Sequence, residues 1–297
     1  MTRGDHILTL SCPDRVGIVA TLARLMERHD CFIASSRTFG DTESGQFFAR
    51  LVFHGPAGGE IPVALLGDLE EAAEDLEADW NVSPVSQRMK TLLLVSKSDH
   101  CANTLLYAAR RKELPIEVVG IVSNHDALKD QFAHFGLPWI SIPVTPETKQ
   151  SAEARLFDVI EETGAELTVL ARYMQVLSDE ACRKLEGRCI NIHHSFLPSF
   201  KGARPYQQAF ERGVKLIGAT AHFVTSDLDE GPIIEQETFR VTHAQSADDY
   251  VAIGRDVEAQ VLARAIHAVI HRRVFLNGNK TVVFPASPGG YASERMG

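Results

Sequence analysis

The hydrophobic positions of the first 86 residues predict six elements in the order βαββαβ. Alternating or apolar segments predict strands at residues 6–11, 31–38, 46–54 and near 81–86. Apolar residues at helical spacing predict two helices, the first from Val16, Val19, Ala20, Ala23 and Met26, and the second from Val63, Leu66, Leu69, Ala73 and Leu76. This order is typical of a four-stranded ferredoxin-like sheet covered by helices.

The pattern changes after a polar segment around Pro84, which we interpret as a linker over residues 83–89. Apolar strands are predicted at 91–95, 116–122, 139–142, 167–171 and 188–192, and helices between them at about 102–112, 126–135, 147–163 and 178–185. Strands that alternate with helices indicate βαβ units, which build a doubly wound, mostly parallel sheet. We therefore predict an α/β protein with two domains, residues 1–86 and 87–297.

Composition narrows the classes of function that fit this chain. A length of 297 residues suits two domains, and the net charge of −9 lacks the basic excess that nucleic acid binding favours. The apolar runs are far shorter than the ~20 residues of a membrane span, and the first ten residues lack a signal-peptide core. The five cysteines form no C-x-x-C pair, so we expect reduced packing residues in a cytoplasmic protein that binds neither membrane nor nucleic acid.

The segment between the first strand and the first helix contains Asp14, Arg15, Val16 and Gly17. Asp14 can cap the helix, Gly17 permits close packing, and free amides at a helix start suit a carboxylate. Here the first domain resembles ACT domains, and the resemblance implies an amino-acid effector at these four residues and pairing of subunits. A generic turn between a strand and a helix remains the alternative.

Polar residues follow the apolar strands of the second domain, where open parallel sheets bind their ligands. Asn191 and His193 share one face of an extended segment, whereas Ile192 and His194 are expected on the other. An amide can stabilise an oxyanion and an imidazole can transfer a proton near neutral pH. Alone, an N-x-H pair also fits a satisfied polar pair at a strand end.

A second motif downstream makes the pattern specific. The residues N-I-H-x-S-x-L-P-x-F-x-G from Asn191, followed by H-x-V-x-x-x-x-D-x-G-P-I-I from His222, are similar to the formyltransferase family that uses 10-formyltetrahydrofolate. The resemblance covers about residues 90–284 and implies that Asn191, His193 and Asp229 are catalytic. It further implies folate contacts at Arg172, Tyr173, Met174, Gln175, Val176, Leu177, His222, Thr225 and Leu228. Asp227 is expected to be a solvated loop or cap carboxylate.

Departures from the transferase pattern indicate the reaction. The loop after the first strand of this domain, residues 96–101, has no glycine and carries Asp99, which would repel a phosphate. His194 stands where glycinamide ribonucleotide transformylases have proline. With the ACT-like domain in front, the chain resembles the family of formyltetrahydrofolate deformylases. The resemblance implies hydrolysis of 10-formyltetrahydrofolate to formate and tetrahydrofolate, formate supply for purine biosynthesis, no cofactor or metal, and a dimer or tetramer.

Four other functions remain as alternatives. They are a transformylase that acts on a small amine, a formyltransferase that acts on tRNA, a non-catalytic amino-acid sensor, and a metal-dependent hydrolase with His193, His194, His222 and Asp229 as ligands. The acidic charge disfavours the tRNA enzyme, and strand alternation disfavours convergence of adjacent histidines on one ion. A serine nucleophile is also disfavoured, because Ser195 lies outside any G-x-S-x-G elbow.

Overall fold

The computed structural model describes residues 4–197 and 205–286, which form two compact units. The first unit runs to Gln87 and also includes residues 271–277 and 281–286, and the second spans 88–270 with 278–280. The expected division at residues 86 and 87 did not include this return of the chain to the first unit. Its cause is apolar packing, because Phe275 and Phe284 pack against Phe48.

The first unit has the predicted βαββαβ order. Its elements are β1 (His6–Pro13), α1 (Ile18–Arg28), β2 (Phe32–Asp41), β3 (Gln46–His54), α2 (Val63–Leu76) and β4 (Asp79–Pro84). The strands form an antiparallel sheet in the order β2-β3-β1-β4. One face of this sheet forms a core with α1 and α2 that contains Leu8, Leu22 and Phe53.

Three sequence predictions for the first unit were wrong in detail. Of the positions predicted to face the core from α1, only Met26 is buried. The helix packs with a different face, and its other buried residues are Ile18, Leu22 and Leu25. Asp14 does not cap α1: Gly17 is the N-cap residue, with a left-handed φ of 101° that favours glycine. The predicted linker is shorter than residues 83–89, since β4 extends to Pro84 and the next strand begins at Met89.

The second unit continues the chain with a seven-stranded sheet. Its elements are β5 (Met89–Val95), α3 (His100–Arg110), β6 (Ile116–Ser123), α4 (Lys129–Phe132), β7 (Trp139–Ser141), α5 (Lys149–Thr163), β8 (Leu167–Leu170), α6 (Asp179–Lys184), β9 (Cys189–His193), α7 (Pro205–Glu211), β10 (Leu216–Phe223), β11 (Ile233–Arg240) and α8 (Ala247–Ile270). The sheet order is β11-β10-β9-β8-β5-β6-β7. A hairpin of β12 (Val274–Asn277) and β13 (Lys280–Val283) follows α8.

The strand order fixes where a ligand can bind in this sheet. The pairs among β5 to β9 are parallel, while β10 and β11 are antiparallel to their neighbours. The chain builds outward from β5 to β7 and then returns to place β8 on the other side of β5. Such a reversal opens a crevice at the carboxyl ends of the strands, which confirms the predicted doubly wound, mostly parallel class.

The largest boundary difference in the second unit lies in the segment predicted as a helix over residues 126–135. It contains only the single turn of α4 and a 3₁₀ turn at Ala133–Phe135, and Gly136 ends it in a left-handed conformation. Phe132 is the buried residue of α4. Among the residues that the structure describes, no helix is both long and apolar enough to cross a membrane.

Candidate active site

A cavity of about 260 Å³ lies in the second unit between two loops. One loop follows β8 (residues 171–177) and the other follows β10 (residues 224–232), and the end of β9 forms the floor between them. Because β10 runs antiparallel to β9, Asn191 and His222 are directly opposite each other. All the residues that the family resemblance assigns to catalysis or to folate line this one cavity.

The Asn191 side chain is oriented by His222. Nδ1 of His222 lies 2.8 Å from the Phe223 carbonyl and donates to it, which leaves a lone pair on Nε2. Nδ2 of Asn191 lies 3.2 Å from this Nε2 and donates one of its two hydrogens. The second amide hydrogen of Asn191 therefore remains for a ligand in the cavity.

His222 is buried and must remain neutral for this arrangement. Burial lowers the pKa of His222 below its ordinary value, and this effect outweighs the Phe223 carbonyl and the Asp229 carboxylate, which raise it. A protonated ring would carry hydrogen on Nε2 and could not accept from Asn191. Protonation of His222 would therefore release the Asn191 amide.

His193 and Asp229 form the central pair of the site. Nδ1 of His193 lies 3.1 Å from Oδ1 of Asp229, and this hydrogen bond is the largest of the effects that lower the pKa of Asp229. The carboxylate fixes the imidazole with its hydrogen on Nδ1, so Nε2 carries the lone pair. Nε2 of His193 is buried and has no hydrogen-bond partner among the described residues. This geometry provides a base that can accept a proton within the cavity.

Two residues at the cavity have strained backbones. Arg172 has φ of 67° and Asp229 has φ of 59°, in the left-handed region that non-glycine residues rarely occupy. Such conformations cost about 1–3 kcal/mol each and cluster at functional sites. The Asp229 carboxylate lies against His193 at the end of β9.

Gly231 allows this loop to approach β10. A Cβ at Gly231 would lie 1.8 Å from the Phe223 carbonyl oxygen and 3.1 Å from Nδ1 of His222. The residue is buried, and the following Pro232 accepts a hydrogen bond from the Phe223 amide. The glycine in the D-x-G-P motif is therefore required by space.

The expectation that His194 faces away from His193 was wrong. The two rings stack with centroids 4.9 Å apart and an interplanar angle of 19°, and both histidines are buried. Alternation fails because β9 ends at His193, so His194 no longer follows the extended backbone of the strand. His194 also lies 2.5 Å from the Arg172 guanidinium.

Apolar side chains form the outer wall of the cavity. Met174, Val176 and Leu228 are each more than half exposed, and all three line it. Ser96, at the end of β5, supports this wall from below: its hydroxyl accepts a hydrogen bond from the Met174 amide and donates to Oδ1 of Asn124. Exposed apolar side chains around a concave surface suit a flat heterocycle.

Sequence reasoning missed a buried polar cluster behind the cavity. Glu258 on α8 is 1% exposed and accepts from His100 at 2.8 Å and from Tyr206 at 2.7 Å. His100, Cys101 and Glu258 are the one group among the described residues whose spacing could hold a metal ion. The Arg172 cation lies 3.3 Å from the same carboxylate and disfavours a second cation there.

The alternative metal set has no support from the spacing of its members. His193, His194, His222 and Asp229 do not form a group with ligand atoms close enough for one ion, within the described part of the chain. Asp227 is exposed, as expected for a loop carboxylate. The end of the first motif, residues 198–202, lies outside the described residues.

The four residues proposed for an effector belong to the first unit. Asp14, Arg15 and Val16 are exposed, and Gly17 begins α1. The Arg15 guanidinium donates to the Asp75 carboxylate at 2.9 Å, which ties this turn to the end of α2.

Comparisons with known proteins agree with this geometry. Residues 89–266 match the family model described as formyl transferase, which gives the second unit its class. The crystal structure of a formyltetrahydrofolate deformylase from Burkholderia mallei has a TM-score of 0.91 at 52% identity and covers 95% of this chain and 99% of that one. Glycinamide ribonucleotide transformylase 1 from Symbiobacterium toebii has a TM-score of 0.62 at 26% identity and covers 66% of this chain and 94% of that one.

Relatives by sequence extend over nearly the whole chain. A formyltetrahydrofolate deformylase from Corynebacterium sp. (strain P-1) is 47% identical over 94% of this chain and 97% of its own length. The Escherichia coli (strain K12) protein of the same name is 38% identical over 93% of this chain and 97% of its own length. The chain therefore belongs to the family of formyltetrahydrofolate deformylases.

We predict that Gly231→Ala lowers kcat about 100-fold, because a displacement of ~1 Å at a reacting group costs this much. The added Cβ forces the loop away from Phe223 and moves the Asp229 carboxylate away from His193. Steady-state kinetics with 10-formyltetrahydrofolate measures the change. Gly67→Ala is the matched control, since a Cβ there contacts nothing within 4 Å. Equal activity of both variants would contradict the proposed fit of the loop.

We predict that His222 titrates below the ordinary histidine pKa of about 6.5 in the folded protein. Its depressed pKa means that the unfolded chain takes up the proton first as the pH falls. This contribution to stability is complete above pH ~6.5 and is lost between that value and the lower folded pKa. Imidazole ¹⁵N shifts measured against pH report the titration, and an Nδ1–H tautomer is expected above it. A folded-state pKa above 6.5 would contradict the account.

Proposed function

We propose that this protein hydrolyses 10-formyltetrahydrofolate to formate and tetrahydrofolate. The observation that carries the proposal is the His193–Asp229 pair beside the oriented Asn191 amide, all three in one cavity. Family membership over nearly the full chain supports the same reaction. The apolar wall of Met174, Val176 and Leu228 supports a folate as the group that fills the outer cavity.

The first step is attack of water on the formyl carbon. Nε2 of His193 takes a proton from the water as its oxygen forms the new bond, and Asp229 stabilises the resulting imidazolium. The carbonyl oxygen becomes an oxyanion and accepts the free amide hydrogen of Asn191. The neutral His222 keeps that amide in place throughout the step.

The second step is collapse of the tetrahedral intermediate. The oxyanion re-forms the carbonyl, the bond between carbon and nitrogen breaks, and the imidazolium of His193 returns its proton to the leaving amine. Formic acid then ionises to formate in water. His193 has then gained one proton from water and given one to the leaving amine, so the protein returns to its starting protonation state.

Water rather than an amine is the proposed acceptor. At the start of α3 the Asp99 carboxylate accepts a hydrogen bond from Asn103 at 2.9 Å and another from Gln131. A carboxylate at this helix start repels a phosphate. A transformylase that acts on a small amine is therefore the less favoured function.

The folate ring is proposed to bind through the loop of residues 172–177. Its side chains are mostly apolar, so the donors and acceptors for a heterocycle come from the backbone, and Thr225 and Leu228 face them from the opposite loop. Ser96 fixes one of these backbone amides, that of Met174, on the inner side of the loop. Side-chain substitutions in this loop should alter affinity more than kcat.

The first unit is proposed to regulate the enzyme as an ACT-like domain. The turn of residues 14–17 is the proposed effector site, and glycine and methionine are the proposed effectors because they report the supply of one-carbon units. A dimer or tetramer in the cytoplasm is proposed as the working state, with formate released for purine biosynthesis. The five cysteines are free and buried, as suits a reducing compartment.

We predict that Asn191→Ala, His193→Ala and Asp229→Asn each lower kcat by about 10²–10³ or more, while folate affinity changes little. Asn191 and His193 act at the reacting formyl group and Asp229 acts through His193, so the variants affect the chemical step rather than binding of the ring. Formate release and folate titration measure the two properties separately. Asp227→Ala is the matched control, because its carboxylate is exposed, and it should remain active. Turnover near that of the wild type in any of the three would refute the mechanism.

We predict that glycine or methionine binds the full-length protein and changes formate release by about 5- to 150-fold, the usual range of allosteric coupling. Gly17→Val should abolish this response, because a branched side chain strains the positive φ at the start of α1. Gly58→Val carries similar strain at another turn of the first unit and serves as control. Calorimetric titration and light scattering measure binding and assembly. An unchanged response in Gly17→Val would contradict the effector site.

A further inference from the structure

A buried carboxylate behind the cavity is completely engaged. Oε1 of Glu258 accepts from the Tyr206 hydroxyl, and Oε2 accepts from His100 and pairs with the Arg172 guanidinium. Burial raises the pKa of Glu258, but the bonds from His100 and Tyr206 and the charge of Arg172 outweigh it and lower the pKa overall. A carboxylate at 1% exposure persists in its charged form only when it is paired in this way. Glu258 is thus a fixed anchor for Arg172.

Arg172 connects this anchor to His194. Its Nε lies 3.3 Å from Oε2 of Glu258, and its Nη1 lies 2.5 Å from Nδ1 of His194. Every nitrogen of a guanidinium is a donor, so Nδ1 of His194 must accept. His194 is therefore neutral, with its hydrogen on Nε2. A protonated His194 would direct an N–H at a guanidinium and place two cations together.

His194 in turn forms one face of the environment of His193. The two rings are stacked with centroids 4.9 Å apart, and the charged or titratable groups around His194 include Arg172, His193 and Asp229. His193 is thus held at its edge by Asp229 and on its face by His194. A neutral neighbour also adds no repulsion when His193 takes up a proton.

We propose that Glu258, Arg172 and His194 are positioning residues for the reaction, which hold His193 in line with Asp229. The proposal rests on the hydrolysis proposed above. It explains why a salt bridge is buried at a site where an apolar pair would pack without the cost of desolvation. The left-handed backbone of Arg172, two residues after the end of β8, belongs to the same arrangement.

A double-mutant cycle of Glu258→Gln and His194→Ala tests the proposal. Each single variant should lower kcat by about 10- to 100-fold with KM within about threefold, because loosened alignment affects the transition state most. The double variant should lose little more than His194→Ala alone, since the carboxylate acts through that ring. Losses that multiply, or a change confined to KM, would overturn the proposal.

Glu237→Gln is the matched control for the cycle. Glu237 pairs with Arg264 of α8 at 2.6 Å, but this pair contacts neither histidine, so kcat should stay within about twofold of the wild type. Thermal unfolding of all variants identifies any that fail to fold. A loss in Glu237→Gln equal to that in Glu258→Gln would reduce the role of Glu258 to stability and overturn the proposal.

The tautomer of His194 gives a readout that does not depend on activity. Imidazole ¹⁵N spectra of the wild type should show His194 neutral with hydrogen on Nε2, and Glu258→Gln, which removes the anchor of Arg172, should let His194 populate both neutral tautomers. A hydrogen on Nδ1 in the wild type would overturn the proposal even if every variant fails to fold. Absence of formate release by the wild type would instead refute the proposed function and leave the tautomer assignment standing.

Discussion

The site depends on one hydrogen bond between His193, the last residue of β9, and Asp229 in the loop after β10. Both partners are largely removed from water, so neither group can be satisfied by solvent alone. The bond fixes the tautomer of the imidazole and keeps the carboxylate charged. Asn191 lies two residues before His193 on β9, so its side chain is on the same face of the strand and reaches the same cavity.

Several locally unfavourable features of the backbone surround this hydrogen bond. Asp229 and Arg172, on opposite sides of the cavity, both have left-handed backbones. Gly231 has no side chain, which allows the loop to lie against β10. Each feature lowers stability by itself. They occur together around the cavity between the loops that follow β8 and β10.

Much of the fold follows from local sequence pattern, but some contacts do not. Both ends of β3 were predicted, although its inner positions are all buried rather than alternating. In contrast, α1 carries apolar residues at more than one helical register, and the wrong face was predicted. The motifs predicted Asn191, His193 and Asp229 together. They could not predict Glu258, because one charged residue in a helix usually faces solvent; its apolar neighbours Val257 and Ala259 were the available signal.

The central claim is that water accepts the formyl group directly. A single turnover of 10-formyltetrahydrofolate in ¹⁸O-labelled water, with chelator present and no amine added, tests it most directly. We expect one equivalent of formate that carries one labelled oxygen, formed at the same rate as tetrahydrofolate. Formate that appears only after an amine is supplied, or only when metal is restored, would contradict the account.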